Sequence, residues 1–231
     1  MNRKSAFLTT TMGVCLTAMV CCALWGSAFP CIKIGYQLFQ IDGNDISGQL
    51  LFAGCRFTLA GLLTILLGSL MNRRPLIPRK TSWIRIAKLS LFQTVIQYLF
   101  FYVGLAHTTG VKASIIEASN VFVAILIASL IFRQEKLDKH KIIGCIAGFA
   151  GVVLININQS GLDMSLSLTG EGFILLSTIA YAVSSVLIKI YSREDNPVML
   201  SGWQFLLGGI IMILCGYLTG GSVSVWTAPS I

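Results

Sequence analysis

Four ionisable residues lie inside long apolar runs of the sequence, and they are the first candidates for chemistry. They are Lys33, Arg56, Lys112 and Glu117. An ionised carboxylate is costly in hydrocarbon, so we expect Glu117 to face the interior of a helix bundle, paired or protonated. Lys33 and Lys112 lie nearer the ends of their runs, where long side chains reach the headgroups. The alternative is that the two lysines form a cationic vestibule for anionic solutes.

Arg56 and Glu117 are predicted to lie at equal depth. The apolar runs that carry them begin near Ser47 and Thr108, so each lies about 13 Å deep at about 1.5 Å per residue. Equal depth allows an ion pair between them. In a functional interpretation Glu117 titrates or meets a cationic substrate, and Arg56 releases it on binding. In a structural interpretation the pair is a fixed bridge.

Uncharged polar residues add a second set of candidates. Gln93, Gln97 and Phe101 recur every four residues and share one face of a helix. Glutamine amides are poorly suited to face lipid, so this face either lines a pathway or hydrogen-bonds a neighbouring helix. Asn120 follows Glu117 by one turn and lies on the same face.

The first apolar run contains a predicted hinge. Pro30 cannot donate a hydrogen bond to the carbonyl of Gly26, which predicts a kink with an unpaired backbone group near mid-membrane. Such a group is tolerated where it is buried in protein or lines a cavity. Trp25 lies beside the hinge, and Tyr181 occupies a related position later in the chain. The two rings either form a platform for a ligand, by stacking or cation–π contact, or simply pack.

The elements that position these residues are predicted to be membrane-spanning helices. The sequence is 55% apolar and 11% charged, against about 25% charged residues in a typical soluble domain. It lacks the alternation of barrel strands. Seven segments have the roughly 20 mostly apolar residues that a spanning helix needs. They are 12–36, 48–71, 83–105, 109–132, 141–158, 170–191 and 197–219.

Charge placement predicts an orientation. Fourteen of the 17 lysines and arginines fall in alternate loops and their flanking span ends, starting with the N-terminus. By the positive-inside rule these loops and the N-terminus are cytoplasmic, in the cytoplasmic membrane. The net charge of +8 is spread over these loops and does not form one basic face, so we expect no nucleic-acid partner. The seven cysteines lie in apolar runs without a CxxC spacing, so we expect no metal site.

Two pairs of spans match in order, which predicts an inverted repeat. Trp25 and Tyr181 are each followed eight residues later by a lysine, and Arg56-Phe57 corresponds to Gln204-Phe205. The match is offset by five helices. Because five is odd, the second unit must be inverted relative to the first. Inverted repeats are typical of transporters whose substrate site lies near the midplane, where the repeats meet.

Several motifs in order resemble the EamA family of the drug/metabolite transporter superfamily. They are Trp25-Gly-Ser-x-Phe29, Arg56-Phe57, Gly104-Leu-Ala-His-Thr-Thr, Val121-Phe-Val-Ala124, Glu135-Lys-Leu137 and Gly144-x3-Gly148-x2-Gly151. The resemblance implies ten helices in two inverted five-helix units, cytoplasmic termini, and transport of small metabolites or export of drugs. Asn120 departs from the family, which often has proline there. The three glycines of the last motif are expected to allow close helix packing.

The predicted fold is therefore an all-α, polytopic transmembrane helix bundle with inverted five-helix repeats. Residues 1–158 would form a first EamA-like unit, and 168–231 the first two helices of a second, truncated unit. This division suggests a fragment; a complete seven-helix protein is the alternative.

The leading functional hypothesis is a secondary transporter that moves a small metabolite or drug-like solute by alternating access, with a possible coupling proton or ion. The alternative is a membrane-embedded enzyme acting on a lipid-linked substrate, which needs an acid or base near the membrane surface. His107 and His140 lie on opposite sides of the predicted membrane, and HExxH and GxSxG motifs are missing from the sequence. It also lacks a P-loop. We therefore expect a non-enzyme without a cofactor.

Overall fold

The computed structural model describes residues 10–42, 45–134, 138–157 and 167–221, and within these ranges it is helical and has no strand. The helices coincide with the seven predicted spans, which confirms the all-α class. They are α1 (Thr11–Leu38), α2 (Ile46–Asn72), α3 (Lys80–Ala106), α4 (Gly110–Ala118, Asn120–Leu126 and Ile127–Ile131), α5 (Lys139–Ile157), α6 (Leu168–Tyr191) and α7 (Pro197–Leu218).

Five of these helices are long and apolar enough to cross a membrane: α2, α3, α4 from Lys112 onward, α6 and α7. Over the described part of α1, the stretch Thr11–Leu24 is apolar but shorter. Side chains with large exposed apolar surface are spread over these helices, including Leu63, Leu66 and Leu214. A bundle with this surface belongs in lipid, so the chain is a multi-pass membrane protein.

Polar caps fix where several helices begin. Asp45 Oδ1 accepts a hydrogen bond from the Gly48 amide at 2.9 Å. Asn196 Oδ1 accepts one from the Val198 amide at 2.9 Å, and Pro197 occupies the first helical position. These side chains satisfy backbone N–H groups that have no partner in the first turn.

The chain divides into two compact units, one of Met1–Asp42 with Val223–Ile231 and one of Gly43–Ser222. In the first, α1 runs for 28 residues from the capping residue Thr10. The predicted hinge at Gly26 and Pro30 and the predicted platform residue Trp25 lie within α1, but their side chains fall outside those that the structure describes.

In the second unit, α2 and α7 pack antiparallel along a ladder of glycines. Gly54 and Gly61 of α2 are seven residues apart, as are Gly202, Gly209 and Gly216 of α7. A Cβ at Gly61 would lie 2.5 Å from the Leu206 amide nitrogen, and one at Gly209 would lie 2.5 Å from that of Thr58. Only glycine permits this backbone-to-backbone approach, which replaces the hydrophobic driving force that lipid removes.

Helices α3 and α4 of this unit also pack against α6 or α7. An apolar cluster of Ile86, Leu89, Leu187, Met199 and Leu200 joins α3, α6 and α7. A smaller cluster of Ile127, Ala182 and Val186 joins α4 to α6. Helix α3 therefore packs against both α6 and α7, and it positions most of the candidate site.

The glycine face of α5 differs from the expectation of close packing. A Cβ at Gly144, Gly148 or Gly151 would have no neighbour within 4 Å. Helix α5 contacts the first segment of α4 but presents these glycines to no other described helix.

Candidate functional site

The middle of α3 changes from α-helical to π-helical geometry over Leu91–Ile96. Gln93 lies inside this segment, and Gln97 begins the α-helical stretch that follows it. A π segment widens the helix locally and is frequently found at functional sites. The two glutamines that the sequence analysis selected are therefore on the least regular part of α3.

Uncharged polar side chains of α3 and α7 meet where these helices pack together, and two more belong to the same stretch of α3. Thr94 Oγ1 donates a hydrogen bond to Gln204 Oε1 at 3.1 Å, and both side chains are completely buried. Ser90 is also completely buried, and it approaches α7 at Gly208. We call this set the amide cluster; its members are Ser90, Gln93, Thr94, Gln97 and Gln204.

Four buried atoms of the amide cluster have no hydrogen-bond partner within the described protein. They are Ser90 Oγ, Gln93 Oε1, Gln97 Oε1 and Gln204 Nε2. Leaving a buried polar atom unpaired costs about 1–3 kcal/mol, and native structures contain few of them. Their concentration on one stretch of α3 and the facing part of α7 is unusual, and each of these atoms needs a hydrogen-bonding group from outside the described protein.

An aromatic cluster lies beside these polar groups, between α2, α3 and α7. The ring of Phe57 is 4.7 Å from that of Tyr98 and stacks on Phe205 at 5.5 Å. Tyr98 is in turn 6.1 Å from Tyr102. The sequence analysis named none of these rings as site residues.

The predicted ion pair between Arg56 and Glu117 is not formed among the described residues. The Arg56 guanidinium lies over the ring of its neighbour Phe57, with Cζ 5.0 Å from the ring centroid. Glu117 is exposed. The pair was inferred from equal depth, and two helices at equal depth need not be adjacent.

Tyr98 connects the residues that the sequence analysis had paired directly. It interacts electrostatically with Arg56, Glu117 and Tyr181. It follows Gln97 in the chain, so the charged groups and the amide cluster are linked through one short stretch of α3. Arg56, Glu117 and Tyr181 therefore lie within electrostatic range of Tyr98.

The structure also places two further candidate residues, Tyr181 and Asn120. The Tyr181 carbonyl accepts hydrogen bonds from Ser184 and Ser185, while its ring is half-buried. Asn120 is half-buried and begins the second segment of α4, just after the helix breaks at Ser119. The predicted pairing of Tyr181 with Trp25 stays a prediction, because the Trp25 side chain lies outside those that the structure describes.

Lys112, which the sequence analysis placed near the headgroups, forms an ion pair that the sequence analysis did not predict. Its ammonium lies 3.3 Å from the buried carboxylate of Glu171 at the start of α6. The Glu171 carboxylate also accepts hydrogen bonds from Thr108 Oγ1 and from the Ser167 amide, both at 2.7 Å. This cluster joins the end of α3 and the start of α4 to α6.

A second ionic cluster joins the opposite end of α3 to the loop between α6 and α7. Arg85 bonds Asp195 Oδ2 at 2.7 Å and also pairs with Glu194, while Ser82 Oγ donates to Asp195 Oδ1 at 2.7 Å. Burial by itself would raise the pKa of Asp195, but the hydrogen bonds from Ser82 and Arg85 outweigh it and lower that pKa. The Arg85 guanidinium also lies 5.6 Å from the ring centroid of Tyr191.

A comparison with protein families identifies the fold. The model of the EamA-like transporter family matches residues 12–157 and 168–230. The chain belongs to this family. The resemblance inferred from the motifs is thereby confirmed. No solved structure gives a significant match to this EamA-like chain.

The EamA-like chain is similar to several curated proteins, most of which carry transporter names. It is 27% identical to WAT1-related protein At3g02690, chloroplastic, of Arabidopsis thaliana, over 92% of this chain and 50% of that protein. It is 31% identical to an uncharacterized transporter of Archaeoglobus fulgidus, over 85% of this chain and 64% of that protein. It is 25% identical to the uncharacterized transporter YvbV of Bacillus subtilis, over 90% and 64%. The chain thus spans half to two thirds of these relatives.

The sequence contained signals for some residues that were missed. Ser90 and Thr94 are four residues apart and flank Gln93 in an otherwise apolar stretch, which is a visible polar pattern. Tyr98 had no such signal, because an aromatic residue in an apolar run of this EamA-like chain resembles any packing residue.

Proposed function

We propose that this chain is part of a secondary transporter that moves a small metabolite or drug-like solute across the cytoplasmic membrane by alternating access. The observation that carries the proposal is the amide cluster, where four buried polar atoms have no partner within the described protein. In lipid such atoms are tolerated only where they meet protein, water or a ligand. A passing solute supplies the hydrogen bonds that they lack.

The two ionic clusters at the ends of α3 support alternating access. One contains Glu171 with Lys112, and the other contains Asp195 with Arg85. Each fixes α3 or its adjoining loop to another helix at one face of the bundle. In each pair the carboxylate is buried and the cation is partly exposed, so water can reach the cation when the cluster opens during the cycle.

Glu117 is proposed to act in coupling or in binding a cationic group. It lies well inside α4, yet it is exposed and makes no ion pair with a described residue. A carboxylate at this depth persists where it meets water, a proton or a cation. An inverted repeat is supported by the antiparallel packing of α2 with α7, the helices that the repeat makes equivalent. The alternating charge of the loops supports a cytoplasmic N-terminus.

The test is transport by the purified protein in proteoliposomes. A panel of labelled polar and amphipathic solutes is assayed for counterflow and for uptake driven by a proton or sodium gradient. We expect flux of at least one solute class, and a reduction of about tenfold or more in Glu117→Gln, because the amide can neither bind the coupling proton nor neutralise a cationic group. The matched control is Asp138→Asn, which neutralises an exposed acid outside the bundle. If no gradient drives flux of any solute, the proposal fails.

A further inference from the structure

We infer that the amide cluster binds an uncharged group of the solute, one that both donates and accepts hydrogen bonds, such as a carboxamide or a hydroxyl. This inference rests on the proposed function, because it names the chemistry that the transport site recognises. It assigns Ser90 and Thr94 to the site alongside the three glutamines.

The first argument is the kind of atom left unpaired. Three of the four are oxygens, on Ser90, Gln93 and Gln97, and the fourth is the amide nitrogen of Gln204. The two glutamine oxygens accept hydrogen bonds, the serine hydroxyl both donates and accepts, and the amide nitrogen only donates. A ligand that satisfies both kinds must itself contain donors and acceptors.

The second argument is the lack of charge. All five members of the amide cluster are uncharged, and Ser90, Thr94 and Gln204 are completely buried. The neighbouring Arg56 lies over the ring of Phe57. An ammonium or carboxylate among the amides would be desolvated with no opposite charge in the cluster, which is strongly unfavourable. Charged parts of a solute are better placed on the Tyr98 side, near Arg56 and Glu117.

The third argument is that two helices reach the same space. A Cβ at Gly208 would lie 2.9 Å from Ser90 Oγ and 2.6 Å from Thr94 Cβ, so α7 approaches α3 very closely here. Gln204 precedes Gly208 by one turn and lies on the same face of α7. Ser90 from α3 and Gln204 from α7 therefore line the same contact, so a small group that enters when α3 shifts away from α7 meets both of them.

The experiment measures binding by thermal unfolding of the purified protein, followed by tryptophan fluorescence. The probes have equal carbon number: propionamide and 1,2-propanediol are uncharged, while propylammonium and propionate are charged. We expect the uncharged probes to raise the Tm by about 2–4 °C at concentrations near tenfold their Kd. For the charged probes, any shift in Tm should be the same in the protein and in variants of the amide cluster.

The variants locate the binding. Ser90→Ala and Gln204→Leu should weaken the apparent affinity for propionamide by about fivefold to tenfold, as expected for one lost hydrogen bond. The matched control is Ser184→Ala, because Ser184 is equally buried but already bonds the Tyr181 carbonyl at 2.7 Å. If Gln204→Leu does not fold, the pair of Ser90→Ala and Ser184→Ala carries the test.

Two results would overturn the inference. One is a larger Ser90-dependent shift with a charged probe. The other is that no probe gives a shift sensitive to Ser90 or Gln204, as expected if the atoms only hold structural water. Binding is measured without flux, so the outcomes are separable. Cluster-dependent binding without flux contradicts the transport proposal alone, whereas flux without cluster-dependent binding contradicts this inference alone.

Discussion

Helix α7 packs against two neighbours in opposite ways. Toward α2 it presents glycines, and backbone meets backbone along an antiparallel ladder. Toward α3 it presents Gln204, whose amide nitrogen has no partner in the described protein. The adjacent residues Gly208 and Gly209 belong to different faces. A Cβ at Gly208 would meet Thr94 and Ser90 of α3. A Cβ at Gly209 would meet Thr58 and Gly54 of α2.

The α2–α7 contact is fixed, whereas the α3–α7 contact is adjustable. Backbone atoms cannot move aside individually, so the α2–α7 contact tolerates no added volume. The atoms that face Gly208 belong to side chains, and the facing helix contains a π segment that can rearrange. We therefore expect α2 and α7 to move as one body in a transport cycle, while α3 shifts relative to them.

The largest effect should come from Gly209→Ala. Its Cβ would lie 2.5 Å from the Thr58 amide nitrogen and 2.8 Å from the Gly54 carbonyl oxygen, so the two helices must separate. We expect the free energy of unfolding to fall by about 1–3 kcal/mol, measured by equilibrium unfolding in mixed micelles. The control is Gly148→Ala, which meets no neighbour and should be neutral or slightly stabilising. Equal losses in the two variants would contradict the distinction.

A smaller loss of stability should accompany Gly208→Ala, but with a selective loss of function. The new methyl group presses on the Thr94 and Ser90 side chains, which can change rotamer. We expect an unfolding cost of about 1 kcal/mol or less, together with a severalfold lower solute flux in proteoliposomes. Suppose instead that Gly208→Ala is destabilised as much as Gly209→Ala and that flux per folded molecule is unchanged. Then α7 contacts α3 and α2 in the same way, and the distinction between the two contacts is wrong.

The same contrast explains which features were predictable. The helices followed from run length and hydropathy, because lipid imposes one length and one backbone solution on every span. The family followed from motif order. The polar face with Gln93 and Gln97 followed from spacing. All of these depend on residues close together in the sequence.

Pairings between distant residues were less predictable. Arg56 and Glu117 were matched by depth alone, and depth does not say which helices are neighbours. The ion pair between Lys112 and Glu171 was not predicted, because Glu171 lies 59 positions further along the chain. The α2–α7 ladder was visible as glycines seven residues apart on both helices, but a spacing on one helix does not name its partner. Gly144, Gly148 and Gly151 show the converse, since their spacing predicted a packing that the described helices do not make.

The smallest effect should come from Asp195→Asn, which tests whether the end of α3 is held as loosely as we infer. The variant keeps the shape of the side chain but removes the charge that bonds Arg85. We expect a Tm lowered by about 2 °C or less, since the Arg85 guanidinium is partly exposed and the asparagine still accepts the hydrogen bond from Ser82. Asp138→Asn, on an exposed loop acid, should leave the Tm unchanged.

The pH dependence gives a sharper test of the same contact. The folded-state pKa of Asp195 is lowered from 3.8, so its contribution is fully present well above pH 3.8 and is lost as the pH falls through the lower folded value. The Tm difference between the protein and Asp195→Asn should therefore be constant from about pH 8 to pH 5 and narrow below about pH 4. A difference that instead narrows between pH 8 and pH 5 would show that a group other than Asp195 controls this contact, and that the α3 end is held by interactions that the ionic cluster does not contain.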